Sequence, residues 1–189
     1  EDLDRERMLL RTLGANRVAG MIIVPSQDMI NSLDYDHLGV PHITIVRKGN
    51  RNTRSYFINN SFQSGILAAR HFEKNGCRNP GYLGFNLPVT CNQEREDGFR
   101  HTLEEVGVPL LKRRTAHCAA TEEAAYQATS KLLTTDRKID SLFVYNDLMA
   151  LGALKAIHDL GLRVPEDIRL LGHDDVDAAP YYVPALSTI

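Results

Sequence analysis

The sequence predicts an α/β protein built as two doubly wound lobes, the first of them incomplete. Three observations predict it. Residues 141–175 read as strand, helix, strand. From Asn59 onward the same alternation runs through four strands and four helices. Before Asn59 there are apolar runs for three strands but too few helices to cover both faces of a parallel sheet.

Taken in order, residues 1–13 read as the back half of a helix, with Leu3, Leu10 and Leu13 on one face, Leu9 beside it and Gly14 closing it. Met21–Val24 reads as a buried strand stopped by Pro25-Ser26, and a short helix covers roughly 28–37. A strand follows at 42–46 (HITIV), then a basic loop, then a strand at 55–58. Asn60 caps a helix that runs to Asn75 and is closed by Gly76. Next come strand 81–85, a helix at 93–106 with Phe99, Leu103 and Val106 on one stripe, and a strand near 113–117. Thr121 caps a helix whose first turn holds Glu122 and Glu123 and whose buried face is Ala125, Ala128 and Leu132. Leu142–Tyr145 is a strand, and Asn146-Asp147 opens a helix that buries Ala150, Ala153, Leu154 and Ile157. Gly161 and Pro165 end that helix, and Ile168, Leu170 and Leu171 start the last strand. Residues 178–189, with two prolines, read as an extended strand leaving the domain.

The 189 residues are 43% apolar, with no run long enough to span a membrane and a net charge of −2. The start, EDLDRER, is the opposite of a secretory n-region, and without an initiator Met residue 1 is not expected to be the natural start. Three cysteines (Cys77, Cys91, Cys118) without CxxC spacing argue against a disulfide framework and for a reducing, cytoplasmic setting. Asn59-Asn60-Ser61 matches a glycosylation acceptor but lacks a secretory context. The basic stretch RKGNRNTR (Arg47, Lys48, Arg51, Arg54) reads as a solvated hairpin loop in preference to a nucleic-acid surface.

Ligands of open α/β sheets bind outside the carboxyl ends of the strands. On that edge lie Asn146-Asp147 and His173-Asp174-Asp175. One of Asn146 and Asp147 caps the helix and the other is free to face a cleft, since two adjacent side chains cannot both fill the cap. Asp174 is either a turn residue in an acidic loop or a ligand contact. Arg95 projects from the buried stripe of its helix in the first turns, where a cation opposes the helix dipole. It therefore needs an acceptor, which is either a bound ligand or an ion pair with Asp147 or Asp174. No catalytic set emerges. Strands 21–24, 42–46 and 81–85 end without carboxylates, the histidines lack zinc spacing, and no phosphate-loop, dinucleotide or nucleophile-elbow motif occurs. Tyr181 and Tyr182 read as packing residues. No metal and no cofactor is implied.

Three stretches carry a resemblance: NDLMALGALKAIHDLGLRVPEDIRLLGHDD with PALSTI, NNSFQSGILAARHFEKNGCRNPGYLGF, and REDGFRHTLEEVGV. In this order and spacing they resemble the effector-binding core of the LacI/GalR family of bacterial transcriptional regulators. The resemblance implies a periplasmic-binding-protein-like core of two lobes hinged by three crossovers, with a sugar, sugar phosphate or nucleobase between them. It implies a homodimer, with no membrane association, and operator DNA contacted through a helix-turn-helix module absent from this chain. It assigns residues 1–58 to the incomplete N-terminal lobe, 59–180 to the C-terminal lobe and 181–189 to a crossover back. Arg95, Asn146 and Asp174 are then effector contacts, with Arg47, Asp147 and His173 beside them.

Three departures stand out. Val46, next to Arg47, stands where the family often has Asp; Asn59-Asn60 replaces Asp-Asn; and Gly-His-Asp replaces Gly-[Phe/Tyr]-Asp. Two acids fewer and one histidine more suggest an acidic or phosphorylated effector facing Arg47 and Arg95. Two other functions remain open from the residues alone. One is a periplasmic sugar-binding transport receptor, distinguished by a signal peptide upstream. The other is a metal-dependent α/β enzyme using Asp147, Asp174 and Asp175.

Overall fold

The computed structural model describes residues 2–26, 33–35, 38–49 and 53–189. They form two compact units, Glu1–Asn60 with Pro88–Cys91, and Ser61–Leu87 with Asn92–Ile189.

In the first unit, α1 (Leu3–Ala15) is capped by Asp2, whose carboxylate accepts from the Asp4 and Arg5 amides. It buries Leu10 alone, against Met21, Ile23 and Tyr35, while Leu9 and Leu13 are exposed. Strands β1 (Met21–Ile23), β2 (His42–Ile45) and β3 (Tyr56–Phe57) make a parallel sheet in that order. Two expectations change here. β1 is not buried on both sides: Met21 and Ile23 face the core, whereas Ile22 is 74% exposed and Val24 is exposed too. Period-2 alternation puts successive side chains on opposite faces, and α1 packs on one of them. β2 and β3 pair in parallel, so they are not the two arms of the expected hairpin; Lys48 lies 5.0 Å over the Tyr56 ring, and residues 50–52 of the basic stretch lie outside the described residues. Of the helix expected at 28–37, residues 28–32, 36 and 37 lie outside the described residues, and 33–35 carry no helix.

The second unit is a four-stranded parallel sheet of order β5-β4-β6-β7, from β4 (Pro80–Phe85), β5 (Thr115–Cys118), β6 (Ser141–Val144) and β7 (Arg169–Leu171). Between the strands run α2 (Ser61–Lys74), α3 (Thr90–Glu105), α4 (Glu122–Thr135) and α5 (Asp147–Asp159). Alternation along β6 sorts the core into two layers. Leu142 and Val144 pack with Leu132, Ala153, Leu154 and Ile157 of α4 and α5. Phe143 joins Tyr82, Phe72 and Phe99 on the α2 and α3 side, with the Phe99 and Phe143 rings 5.2 Å apart. The four apolar positions expected to be buried on α5 are all buried.

Helix pairs meet backbone to backbone. A Cβ on Gly65 would lie 2.2 Å from the Arg95 carbonyl oxygen, and one on Gly98 would lie 2.1 Å from that of Phe62. The same device joins α5 to α4, where a Cβ on Gly152 would lie 2.0 Å from the Glu122 oxygen. These approaches exclude any side chain, so the positions of α3 and its arginine are set by main-chain contact. Residues 178–189 differ from the expected departing strand. They form a short 3-10 turn at Ala179–Tyr181, then run beside β7. There the Gly172 amide donates to the Ser187 oxygen and the Asp174 amide to the Ile189 oxygen, both at 2.9 Å.

A buried ion cluster closes the far end of β5. Asp136, one residue after α4, accepts from Arg114 Nε at 2.8 Å and Arg113 Nε at 2.9 Å. The Arg114 hydrogen bond, aided by the Lys138 amide and Arg113, lowers its carboxyl from 3.8 to about 2. A depressed carboxyl stabilises the fold fully above its unfolded value and loses that contribution as pH falls through the folded one. Acid unfolding of the second unit, followed by circular dichroism, is therefore expected to steepen between about pH 4 and pH 2. In Asp136→Asn that steepening disappears and stability at neutral pH falls.

Candidate functional site

The carboxyl edge of the second sheet is built from the ends of β4, β6 and β7. Asn92, in the first turns of α3, clamps the end of β4. Its Oδ1 accepts from the Phe85 amide at 3.2 Å and its Nδ2 donates to the Phe85 oxygen at 2.9 Å. One turn later stands Arg95, 3% exposed. Its guanidinium lies 4.8 Å over the Tyr145 ring and donates to the Tyr145 carbonyl oxygen. It forms no ion pair with a carboxylate among the described residues, and its buried Nε has no hydrogen-bond partner there. The alternative in which Asp147 or Asp174 neutralises Arg95 is thereby overturned. A buried guanidinium holding only a carbonyl and a ring retains donor capacity for a planar or bidentate acceptor.

Asn146 and Asp147 divide their work differently from expectation. Asn146 is the cap: its Oδ1 accepts from the Met149 amide at 2.9 Å, and its half-buried amide nitrogen makes no hydrogen bond within the described residues. Asp147 does not face outward. It is 0% exposed and accepts from Thr188 Oγ1 at 2.8 Å and from the Val176 amide at 3.0 Å. A Cβ on Gly172 would lie 2.1 Å from its Oδ1. The carboxylate thus holds the end of β7 and the segment beside it, and is withdrawn from ligand binding.

Asp174 has a half-exposed side chain, and its backbone takes φ +111. That region costs a non-glycine residue about 1–3 kcal/mol. Its Oδ1 lies 2.7 Å from His173 Nδ1. His173 itself is 6% exposed, with Nε2 3.2 Å from Ser64 Oγ on α2. Arg47 lies in the first unit, where it donates to the Pro25 and Ser26 oxygens at 2.9 and 2.8 Å at the end of β1.

Arg95, Asn146, Asp174 and His173 therefore share one sheet edge; Asp147 serves the structure beneath it, and Arg47 belongs to the other unit. Sequence reasoning passed over Tyr145, Asn92 and Ser64. Tyr145 could have been found from its place just before Asn146 at a strand end, whereas the other two carried no local signal. Among the described residues no cluster of three His, Cys, Asp or Glu could hold a metal ion, and no helix is long and apolar enough to cross a membrane.

The edge thus carries a buried cation with no carboxylate partner among the described residues, a capping amide and a half-exposed carboxylate. The periplasmic binding protein-like domain family matches residues 69–189, and the chain belongs to that family. Its relatives place it with the effector-binding cores of LacI/GalR-type regulators. The HTH-type transcriptional repressor PurR of Yersinia pestis bv. Antiqua (strain Antiqua) is 31% identical over 191 residues, covering 100% of this chain and 56% of that protein. The chain thus spans about half the length of the curated relatives it matches. A sugar-binding LacI-family regulator from Escherichia coli, solved with phosphate, is 26% identical at a TM-score of 0.82, over 98% of this chain and 67% of that one. The Escherichia coli repressor ascG is 27% identical at the same TM-score of 0.82, over 98% and 68%.

The division of work predicts two separable phenotypes. Asp147→Ala orphans the Val176 amide and Thr188 hydroxyl and is expected to cost about 2–4 kcal/mol of stability. Asn146→Ala loses only a cap, at about 1 kcal/mol. Urea unfolding of the two variants measures the difference; equal losses would show that Asp147 is not the anchor.

Proposed function

We propose that this chain is the effector-binding core of a ligand-responsive transcriptional regulator. A small sugar, sugar phosphate or nucleobase binds it, and binding alters operator affinity through a helix-turn-helix module outside these 189 residues. The DNA-binding part rests on the repressor relatives, of which this chain covers 56%. The observation that carries the effector part is Arg95: buried, stacked on Tyr145 and without a carboxylate partner among the described residues. Arg95, Asn146 and Asp174 are the proposed effector contacts. The work is recognition without bond making, carried out in the cytoplasm, where operator DNA is.

The cation favours an anionic effector, and a related regulator solved with phosphate is consistent with that chemistry. A homodimer is supported by Leu148 and Leu151, 43% and 37% exposed and three residues apart on α5, an apolar stripe suited to a second copy. Leu151→Glu is expected to halve the mass seen by light scattering.

A thermal-shift screen of sugars, sugar phosphates and nucleobases is expected to give a stabilising ligand, since binding only the folded state raises apparent stability. In calorimetry, D-ribose 5-phosphate is expected to bind tighter than D-ribose. Arg95→Lys, which lacks the planar fork, should weaken the phosphate ester by about tenfold. The reverse order of the two ribose ligands would sink the anionic reading.

A further inference from the structure

We propose that His173 is a positioning residue: with Ser64 behind it, it aims the Asp174 carboxylate at the effector and takes no part in contacting the effector itself. This rests on the reading of Asp174 as an effector contact and goes beyond it by naming what orients that carboxylate.

Neighbouring residues of an extended strand place their side chains on opposite faces. His173 and Asp174 lie just past β7, after Gly172, and there His173 Nδ1 and Asp174 Oδ1 are 2.7 Å apart. The φ of +111 at Asp174 accompanies this departure from extended backbone. The Asp174 amide, donating to the Ile189 oxygen at 2.9 Å, secures the turn. The imidazole is held at both ends, with Nε2 3.2 Å from Ser64 Oγ, and it is 6% exposed. Both ring nitrogens are thereby engaged within the protein.

The chemistry fixes the direction of the first bond. An ionised carboxylate only accepts, so Nδ1 carries the proton and donates to Oδ1. The Ser64 hydroxyl can donate to Nε2 or accept from it, so the bridge survives either charge state of the ring. Asp174 Oδ1 is thus occupied, and Oδ2, which makes no hydrogen bond within the described residues, is the oxygen offered outward. An oxygen of that kind takes a donor. The effector group it recognises is a hydroxyl or an N–H, while Arg95 takes an acceptor of the same molecule. Phenylalanine at position 173 would fill the space but aim nothing.

The test reads the imidazole directly. Nitrogen-15 spectra of the full chain are expected to show His173 protonated at Nδ1, and Ser64→Ala is expected to shift the Nε2 resonance. A ring protonated at Nε2 alone overturns the proposal and leaves the effector reading standing. The second readout compares His173→Phe with His173→Asn, whose amide nitrogen falls about where Nδ1 stands. With D-ribose 5-phosphate as probe, His173→Phe should weaken binding by about tenfold, and His173→Asn should retain affinity within about threefold. If both variants lose equally, His173 is merely structural and the proposal fails. If Asp174→Asn binds the probe as the wild type does, the effector reading of Asp174 fails, and the Nδ1 signal still reports on the bridge.

Discussion

The second unit depends on one buried carboxylate. Asp147 opens α5, and its own amide donates to the His173 oxygen at 2.8 Å while its side chain accepts from Val176 and Thr188. A single residue thereby joins the start of a helix, the end of the edge strand and the segment that follows. A buried acid is tolerated only when its oxygens are matched by donors, and here they are. Gly172 is the complement: with a Cβ it would displace the carboxylate. The sheet edge on which recognition is proposed exists in its present shape because this internal anchor is satisfied.

The same satisfaction leaves Arg95 without a carboxylate partner among the described residues. Of the two acids available in principle, Asp147 is spent on an amide and a hydroxyl, and Asp174 leans on His173. A guanidinium buried beside a ring and one carbonyl is poorly solvated, so an incoming acceptor replaces little water and gains a charge-assisted bond. Burial costs stability, and the aromatic face of Tyr145 offsets part of that through its negative quadrupole. The cation persists at the edge because its natural partners are engaged elsewhere.

Much of this was legible in the sequence. The helix periodicity at Ala150, Ala153, Leu154 and Ile157, the Asn-Asp start and the alternation along Leu142–Val144 each follow from local geometry. So did the placement of Arg95 on a strand-end edge, because parallel order forces the carboxyl ends together. The roles of Asn146 and Asp147 were not legible. Which of two adjacent side chains caps and which is buried depends on Thr188, 41 residues away. The pairing of His173 with Asp174 was hidden because an extended strand puts neighbouring side chains on opposite faces, and the departure from it, with φ +111 at Asp174, carries no sequence signal. The burial of Ile22 was overestimated because an apolar run looks the same whether one face or two are covered.

The way Arg95 is held bears on how a signal could arise. Gly65 abuts its carbonyl, Gly98 abuts Phe62, and Asn92 ties the same helix to β4. Contacts between main chains have no rotamers through which to yield, so α3 carries its arginine as part of a rigid unit. An effector shifts a two-state equilibrium only if it binds the two states with different affinity. Contacts supplied by a unit that keeps its shape are the same in both states and contribute affinity without bias. Under the proposed function the bias must come from groups outside that unit, and effector affinity and regulatory effect are expected to be separable.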